Sequence, residues 1–490
     1  MGLIATLPGW SSLAAAFAGC LWGIFGGALP GISPSIAMAL LLPLTYGMDP
    51  VPAIVLLASV YVGAEYGGSI PAILIRTPGT NSAAATTIDG YEMARQGRAG
   101  EALGISLVCG LFGGLIGLLF LVVATEPLAD IALSFTPPAY FALAVLGLSV
   151  IAGLSGGSLL KGLIGAGLGL MVATIGTDPV SGVPRFTFGE ADLLGGIRPI
   201  LVMVGLFAVS EMLTQISEPP WAKADARDTR LKLPGLAMLR KTLRAQLIGW
   251  GIGTFEGVTP GAGGTVAAFM AYNEAKRWSN EPEKFGHGSE EGIAAPEAAN
   301  NVVTATALVP LLSLGIPGSN SAAVLLGGFL VHGLTPGPLL FAKAPDVVMG
   351  LYWGLLFANI AMLLLGLVIL NPAIWLVNRP KPFLLSAILC LVVTGVFAIE
   401  QSLFDVGLVV GFGVAGYLLR RAGVPMLPLV LGVVLGFMLE SNFRRSLVLS
   451  DGDFSIFVQD RVSLILLALA AVLTAYSVWR EFKPSDKEPQ

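Results

Sequence analysis

The chain has 490 residues, 55% of them hydrophobic and only 12% charged, with a net charge of −4. Soluble domains carry about 25% charged residues, so a soluble globular class is excluded. The small net charge says little about partners, and the basic stretches lie in loops rather than forming a nucleic-acid footprint. The period-2 alternation of a transmembrane β-barrel is absent. Apolar runs repeatedly reach the ~18 residues that read as a spanning helix. The expected class is an all-α polytopic membrane protein with about 10–14 membrane segments.

From the N-terminus, no Lys or Arg precedes Arg76. The charged region of a cleaved signal peptide is therefore missing, and the N-terminus is expected to be retained. Gly19, Gly23, Gly27 and Gly31 form a small-xxx-small ladder for close helix packing. GALPGISPS (Gly27–Ser35) follows, then Glu65 within VYVGAEYGGS, then PGTNSAA (Pro78–Ala84), with Arg76 just before it. GYEMARQGRAGE (Gly90–Glu101) is assigned to the cytoplasm by Arg95 and Arg98. Spans are predicted at Ala102–Thr125, Ile131–Ala152, Leu159–Thr177 and Ile197–Leu213. They place Glu126–Asp130 and Asp178–Asp192 outside and the Gly153–Ser158 turn inside. Trp221–Arg244 carries Lys223, Arg227, Arg230, Lys232, Arg240, Lys241 and Arg244 and fixes the cytoplasmic side.

Beyond it come Glu256, GVTPGAGGT (Gly257–Thr265), PEAANN with Glu297, Asn300 and Asn301, and PGSNSAA (Pro317–Ala323). Leu334–Asp346 is outside, Val347–Leu370 spans, and Arg379 and Lys381 mark an inside loop. Arg420 and Arg421 are inside, Arg461–Val478 spans, and the tail with Arg480, Lys483 and Lys487 is cytoplasmic. Arg444 and Arg445 fall outside against the charge rule, partly balanced by Asp451, Asp453 and Asp460. Cys20, Cys109 and Cys390 read as buried small apolar residues, neither a disulfide framework nor a metal site.

The chain repeats itself. PAILIRTPGTNSAA (Pro71–Ala84) aligns with PLLSLGIPGSNSAA (Pro310–Ala323), and GALPGISPS aligns with GVTPGAGGT, in the same order. With the loops after the two phrases on opposite sides, this is the pattern of an inverted-repeat secondary transporter with two re-entrant or broken-helix hairpins. Residues 1–213 form one half, 214–244 a cytoplasmic basic linker and 245–490 the other half. The N-terminus falls outside and the C-terminus inside.

Inside a bilayer a Pro-Gly pair interrupts the helix and frees backbone groups that need partners. Pro78 and Pro317 make that break; Asn81 and Asn320 add side-chain oxygens, and a helix restarting after Thr80 or Ser319 points its positive end into the gap. Unwound carbonyls suit Na⁺, and helix N-termini suit a carboxylate. Thr80, Asn81 and Ser82 make one candidate half-site and Ser319, Asn320 and Ser321 the other. The same phrases also read as ordinary capped loops. Gly31, Ser33, Ser35, Gly261, Gly263 and Thr265 line the cavity or serve close packing. Intramembrane Glu65, Glu256 and Glu297, with Asn300, Asn301 and Arg76, are candidates for a coupling cation, a proton or the substrate. Arg76 is the candidate anion anchor, but its aligned partner is Gly315, which rules out a symmetric role.

Two other chemistries fit parts of the chain. An anion channel can share broken helices and inverted repeats. GLSGG around Ser155, with His332, resembles the serine motif of rhomboid-type intramembrane proteases. No Walker A string is present, and no enzyme activity is expected.

GALPGISPS, YGGSIPAILIRTPGTNSAAATTIDGYEMARQGRAGEALG, PGAGGT, PEAANN and LGIPGSNSAAVLLGGFL together resemble the large membrane subunit of tripartite tricarboxylate transporters, the TctA family, from about Leu13 to the Pro425–Leu439 region. The resemblance implies a bacterial inner-membrane importer of tricarboxylates or related carboxylates. It implies a cation gradient as driving force, commonly Na⁺ with H⁺ as the other option. It also implies a small TctB-like membrane subunit and a periplasmic TctC-like solute-binding protein, and leaves open a homodimer of the membrane complex. The Ser-Asn-Thr-like phrases match hairpin tips that hold Na⁺ and substrate in related folds. The residue pair after the second P-G-S departs from what the family often writes, so substrate details of citrate members do not carry over.

Overall fold

The computed structural model describes residues 9–154, 158–178, 181–218, 230–259, 261 and 263–482. Ser155, most of the basic linker including Lys223 and Arg227, and tail residues Lys483 and Lys487 lie outside the described residues.

The protein is an all-α polytopic membrane protein. Among the described residues nine helices are long and apolar enough to cross a membrane, and four shorter apolar helices accompany them. The one small sheet pairs β1 (Gly176–Thr177) antiparallel with β2 (Pro184–Arg185). The chain forms two compact units, one of residues 1–130 and 207–406, the other of residues 131–206 and 407–490. Each unit draws on both halves of the sequence.

The first unit holds every polar phrase. Its elements run α1 (Trp10–Ala28), α2 (Pro34–Leu41), α3 (Pro50–Ile75), α4 (Ala84–Arg95) and α5 (Ala99–Leu133, shared with the second unit). After α9 (Ser210–Ser217) the same series recurs: α10 (Leu236–Val258), α11 (Gly263–Trp278), α12 (Glu291–Thr306) with α13 (Leu308–Leu314), α14 (Asn320–Val331) and α16 (Pro345–Val368). α17 (Leu370–Val377) and α18 (Lys381–Glu400) complete it.

Packing repeats with the elements. A step of 230 residues aligns Gly27 with Gly257, and a step of 239 aligns Pro78 with Pro317. Gly19 and Gly23 of α1 press on the Leu56 and Val60 carbonyls of α3. Gly249 and Gly253 of α10, one step of 230 on, press on the Ala295 and Ala299 carbonyls of α12, one step of 239 on. Lipid offers no hydrophobic drive between helices, so such backbone-to-backbone approach supplies the contact energy. Gly31 stands outside this ladder, at φ +82° in the turn after α1.

Two expected boundaries and one expected burial differ. Glu126–Asp130 is no loop: α5 continues through it, Pro127 included, to Leu133. Charged residues at a membrane face do not stop a helix whose backbone bonds are already made. α7 (Leu159–Ala173) ends before Gly176, whose φ of +118° starts the β-turn region instead. Cys390 is exposed on α18, whereas Cys20 and Cys109 are buried. An apolar residue facing lipid gains nothing from burial.

The second unit packs α6 (Pro137–Leu154), α7, α20 (Met426–Leu449) and α22 (Arg461–Phe482). Phe141, Phe443 and Phe457 form an aromatic cluster, with centroids 4.8–5.6 Å apart. Arg444 pairs with Asp178 at 3.0 Å and with Glu440, and Arg185 pairs with Glu440 at 2.7 Å. The positive charge of Arg444 is thus met by Asp178 and Glu440, not by Asp451, Asp453 or Asp460.

Candidate functional site

Both polar phrases are built on the same backbone frame. α3 ends at Arg76 in the left-handed region, φ +57°, and α13 ends at its counterpart Gly315, φ +75°. The turned chain then folds back on the helix it has just left. Thr77 N–H donates to the Pro71 carbonyl at 3.4 Å, and Ile316 N–H to Pro310 at 3.2 Å. Gly79 N–H donates to the Gly68 carbonyl at 3.0 Å, and Gly318 N–H to Ala307 at 3.3 Å. Each pair is again one step of 239 residues apart. Gly79 lies on the Gly27 carbonyl and Gly318 on that of Gly257, so the two motif pairs read from the sequence meet in space. No side chain fits at either glycine, because the nearest atoms are backbone.

The side chains of the phrases converge on α3. Ser82 donates its hydroxyl to Glu65 Oε2 at 2.5 Å, and Thr80 and Ser82 hydroxyls lie 3.1 Å apart. One helical turn earlier, Tyr61 Oη stands 3.3 Å from Ser319 Oγ of the second phrase. Tyr61 and Glu65, at i and i+4, project from one helix face, so the two phrases are brought within about one 5.4 Å helical pitch along α3. The second half returns the contact: Asn300 Nδ2 donates to Glu65 Oε2 at 3.0 Å. Asn300 is the counterpart of Tyr61 under the 239-residue step, so the same position reaches across from each half, Tyr61 to the second phrase and Asn300 to the carboxylate that serves the first. A Cβ at Gly264 would stand 2.6 Å from Asn300 Oδ1 and 3.5 Å from Ser82 Cβ, which brings the start of α11 to the same place.

Thr80, Ser82, Ser319 and Ser321 are buried, whereas Asn81 and Asn320 are exposed. α14 begins at Asn320 with Ser319 as cap, its Oγ accepting the Ala322 N–H at 3.1 Å. α4 begins only at Ala84, not directly after Thr80, although the Thr80 hydroxyl still accepts the Ala83 N–H at 3.4 Å. Ser33 and Ser35 share a hydrogen bond of 2.8 Å. Gly31 and Gly261 both take positive φ, +82° and +96°, and Gly261 N–H donates to the Gly318 carbonyl at 3.1 Å. Thr265 is half-buried on α11. Arg76 is exposed, 5.7 Å from the Tyr91 ring centroid. Pro78 and Pro317 sit in the turns, and Asn300 and Asn301 are buried on α12.

A second carboxylate lies close by. Glu297 Oε1 accepts the hydroxyls of Ser69 at 2.6 Å and Thr86 at 2.5 Å. Its partners come from α3 and α4, 228 and 211 residues away, a pairing with no local sequence signal. Ser69 lies one turn after Glu65, so two buried carboxylates flank a single stretch of α3. Among the described residues neither has a basic group within ion-pair distance; every donor to them is a neutral hydroxyl or amide. Among the described residues no three His, Cys, Asp or Glu side chains cluster; the two carboxylates and the hydroxyls around them are oxygen ligands, the type that hard cations take.

A carboxylate the sequence reading passed over anchors the arm that follows the first phrase. Asp89 Oδ1 accepts three backbone N–H groups, from Gly286, Gly288 and Ser289, at 2.8–2.9 Å. Its Oδ2 accepts the Tyr272 hydroxyl at 2.8 Å. Beyond it, Gln96 bonds the His287 carbonyl, and Glu290 receives Arg98 and Lys241. Burial pushes the Glu290 carboxyl up, but the Arg98 and Lys241 hydrogen bonds outweigh it and hold it down at about 2.

The sequence profile described as "Tripartite tricarboxylate transporter TctA family" matches residues 13–431. An uncharacterized 52.8 kDa protein in the TAR-I ttuC' 3' region of Agrobacterium vitis is 39% identical over 461 residues, covering 94% of this chain and 92% of that protein. An uncharacterized protein in the TAR-II ttuC' 3' region of the same organism is 36% identical over 220 residues, covering 45% of this chain and 91% of that protein. No solved structure matches.

Proposed function

Because the chain belongs to the tripartite tricarboxylate transporter TctA family, we propose that it is the large transmembrane subunit of a binding-protein-dependent, Na⁺-coupled importer of tricarboxylates or related carboxylates in the bacterial inner membrane. A periplasmic binding protein docks on the outer face and releases the carboxylate into the first unit, and a small membrane subunit completes the complex. The N-terminus is periplasmic and the C-terminus cytoplasmic. The two halves run in opposite senses, and their phrases form one central site.

The observation that carries this reading is the convergence of both phrases on Tyr61 and Glu65. A polyanion and a cation need opposite environments within a few ångströms of each other, and this site offers both. Glu65 with the Thr80 and Ser82 hydroxyls and Asn300 supplies oxygen to the cation. The N-terminus of α14 and the exposed Asn81 and Asn320 amides face the carboxylate, and Arg76 at the rim adds the positive charge that draws it in. A bound cation offsets the charge of Glu65 and raises anion affinity, which couples the two fluxes.

The test is uptake into proteoliposomes holding the purified membrane complex, with its binding protein and an imposed Na⁺ gradient. Uphill accumulation that collapses when the gradient is removed supports the reading and separates it from a channel. Unchanged uptake and Na⁺ dependence in Asn81→Ala and Asn320→Ala would remove these residues from the site.

A further inference from the structure

The carboxylate of Glu297 is buried, and its hydrogen bonds come from Ser69 and Thr86, outside the phrases. One of its oxygens is satisfied by Ser69 and Thr86; the other, Oε2, has no hydrogen-bond partner. Two further oxygens stand with it. Asn301, one turn along α12, spends its amide on the Glu297 backbone carbonyl at 3.0 Å and leaves Oδ1 unpaired. Ser106 of α5 is a hydrogen-bond neighbour of the Glu297 side chain, in a geometry that leaves its Oγ without a well-formed bond. The register of α5 agrees: Gly110, one turn after Ser106, rests against the Asn301 amide. All three residues are at most 1% exposed.

A buried carboxylate oxygen and a buried amide oxygen without well-formed bonds, and with no counter-charge among the described residues, are costly in such a setting. Each unsatisfied polar group costs about 1–3 kcal/mol, and an unpaired buried charge more. We propose that Glu297 Oε2, Asn301 Oδ1 and Ser106 Oγ bind a Na⁺ ion of their own, separate from the cation at Glu65 and the first phrase. An all-oxygen set with a single carboxylate neutralises one positive charge and suits a hard monovalent cation. Asn300 and Asn301, adjacent on α12 and about 100° apart around it, divide the work: Asn300 serves Glu65 and Asn301 serves Glu297.

This deepens the transport reading and rests on it for its consequence, a second coupling ion for each carboxylate, but the binding itself is measurable without transport. Purified full-length protein is titrated with radiolabelled Na⁺ at constant ionic strength in choline chloride, alongside thermal unfolding over the same titration. Glu297→Gln is expected to bind one Na⁺ fewer per chain than wild type. Ser106→Ala, which removes one oxygen and hardly alters packing, is expected to weaken that site by roughly tenfold, the loss of one ligand bond. If Glu297→Gln does not fold, Ser106→Ala carries the test alone. Wild-type stoichiometry in Glu297→Gln, or wild-type affinity in Ser106→Ala, overturns the proposal. So does stabilisation of the wild type by acid but not by Na⁺, which assigns Glu297 a proton instead. If the Na⁺ count behaves as expected but uptake ignores the Na⁺ gradient, the transport reading fails and the site stands. If uptake follows Na⁺ while the count is unchanged, the site fails and the reading stands.

Discussion

The first and second phrases share a frame and differ in everything attached to it. Their turns make the same two backbone hydrogen bonds, pack their glycines on equivalent carbonyls and leave a helix through a left-handed residue. Yet the first is served by a carboxylate, Glu65, and the second by a phenol, Tyr61. The arm after the first is latched by Asp89, whereas the counterpart of Asp89 is Gly328, pressed on the apolar Leu57. The repeat preserved the backbone that makes a break in a membrane helix affordable. It let the halves diverge in charge: a buried carboxylate serves the first phrase and a neutral phenol the second.

The largest effect should come from breaking the latch that only the first half has. Asp89→Ala strands three backbone N–H groups and the Tyr272 hydroxyl. Leaving several buried donors unpaired costs on the order of 3–5 kcal/mol. Folded protein recovered after detergent extraction should fall sharply. Gly328→Ala, at the counterpart position, meets a flexible Leu57 methyl 2.5 Å from the new Cβ, with Ile54 and Leu42 methyls at 3.6 Å, and should be recovered far better. Equal recovery of the two would mean that the halves are braced alike.

The next contrast sits at the site itself. Glu65→Gln removes the charge that the Ser82 and Asn300 donors address. Hydrogen bonds to charged groups are worth about 1.5–3 kcal/mol, so Na⁺-driven uptake should fall roughly 10–100-fold. Tyr61→Phe removes one long, neutral contact of 3.3 Å and should cost tenfold or less, about 0.5–1.5 kcal/mol. A larger loss from Tyr61→Phe would invert the assignment of cation and anion sides.

Much of this frame was legible in the sequence because a Pro-Gly pair in an apolar run has few uses. The phrases, their alignment and their pairing with GALPGISPS and GVTPGAGGT follow from backbone chemistry that leaves a trace in residue type. The partners did not. Ser82 to Glu65 spans 17 residues and Thr86 to Glu297 spans 211, and nothing local in either segment points to the other. Asp89 left no such trace; its three amide partners come from a Gly-rich loop whose shape is set only by folding. The end of α5 was misplaced for a related reason: hydropathy marks where a bilayer stops, not where a helix does.

Arg76 offers a substitution that the second half has already made. Gly315 stands in its place there, in the same left-handed conformation. A left-handed L-residue costs about 1–2 kcal/mol, and glycine gives back about 0.5–1 kcal/mol through chain entropy. Arg76→Gly should therefore leave stability within about 1 kcal/mol of wild type, with the turn intact. What remains is the charge. If Arg76 draws the carboxylate in, the KM for uptake should rise about tenfold, the loss of one charge-assisted contact, with the Na⁺ dependence unchanged. An unaltered KM would reduce Arg76 to a helix cap standing over the Tyr91 ring.

The smallest and most conditional effect belongs to the outer part of the latch. Arg98 and Lys241 hold the Glu290 carboxyl at about 2, below its ordinary 4.5. A carboxyl depressed on folding contributes stability that is complete above its unfolded value and fades as pH falls through that value towards the folded one. Glu290→Gln should thus lower the unfolding midpoint at neutral pH, by a few degrees at most for so accessible a cluster. The gap between variant and wild type should hold from pH 8 to about 5 and close between about 4.5 and 2. Salt narrows it at neutral pH, since Lys241 is 42% exposed and the pair is screened. A gap that instead opened on acidification would mean that the carboxyl is held protonated, and that Asp89 alone secures the arm.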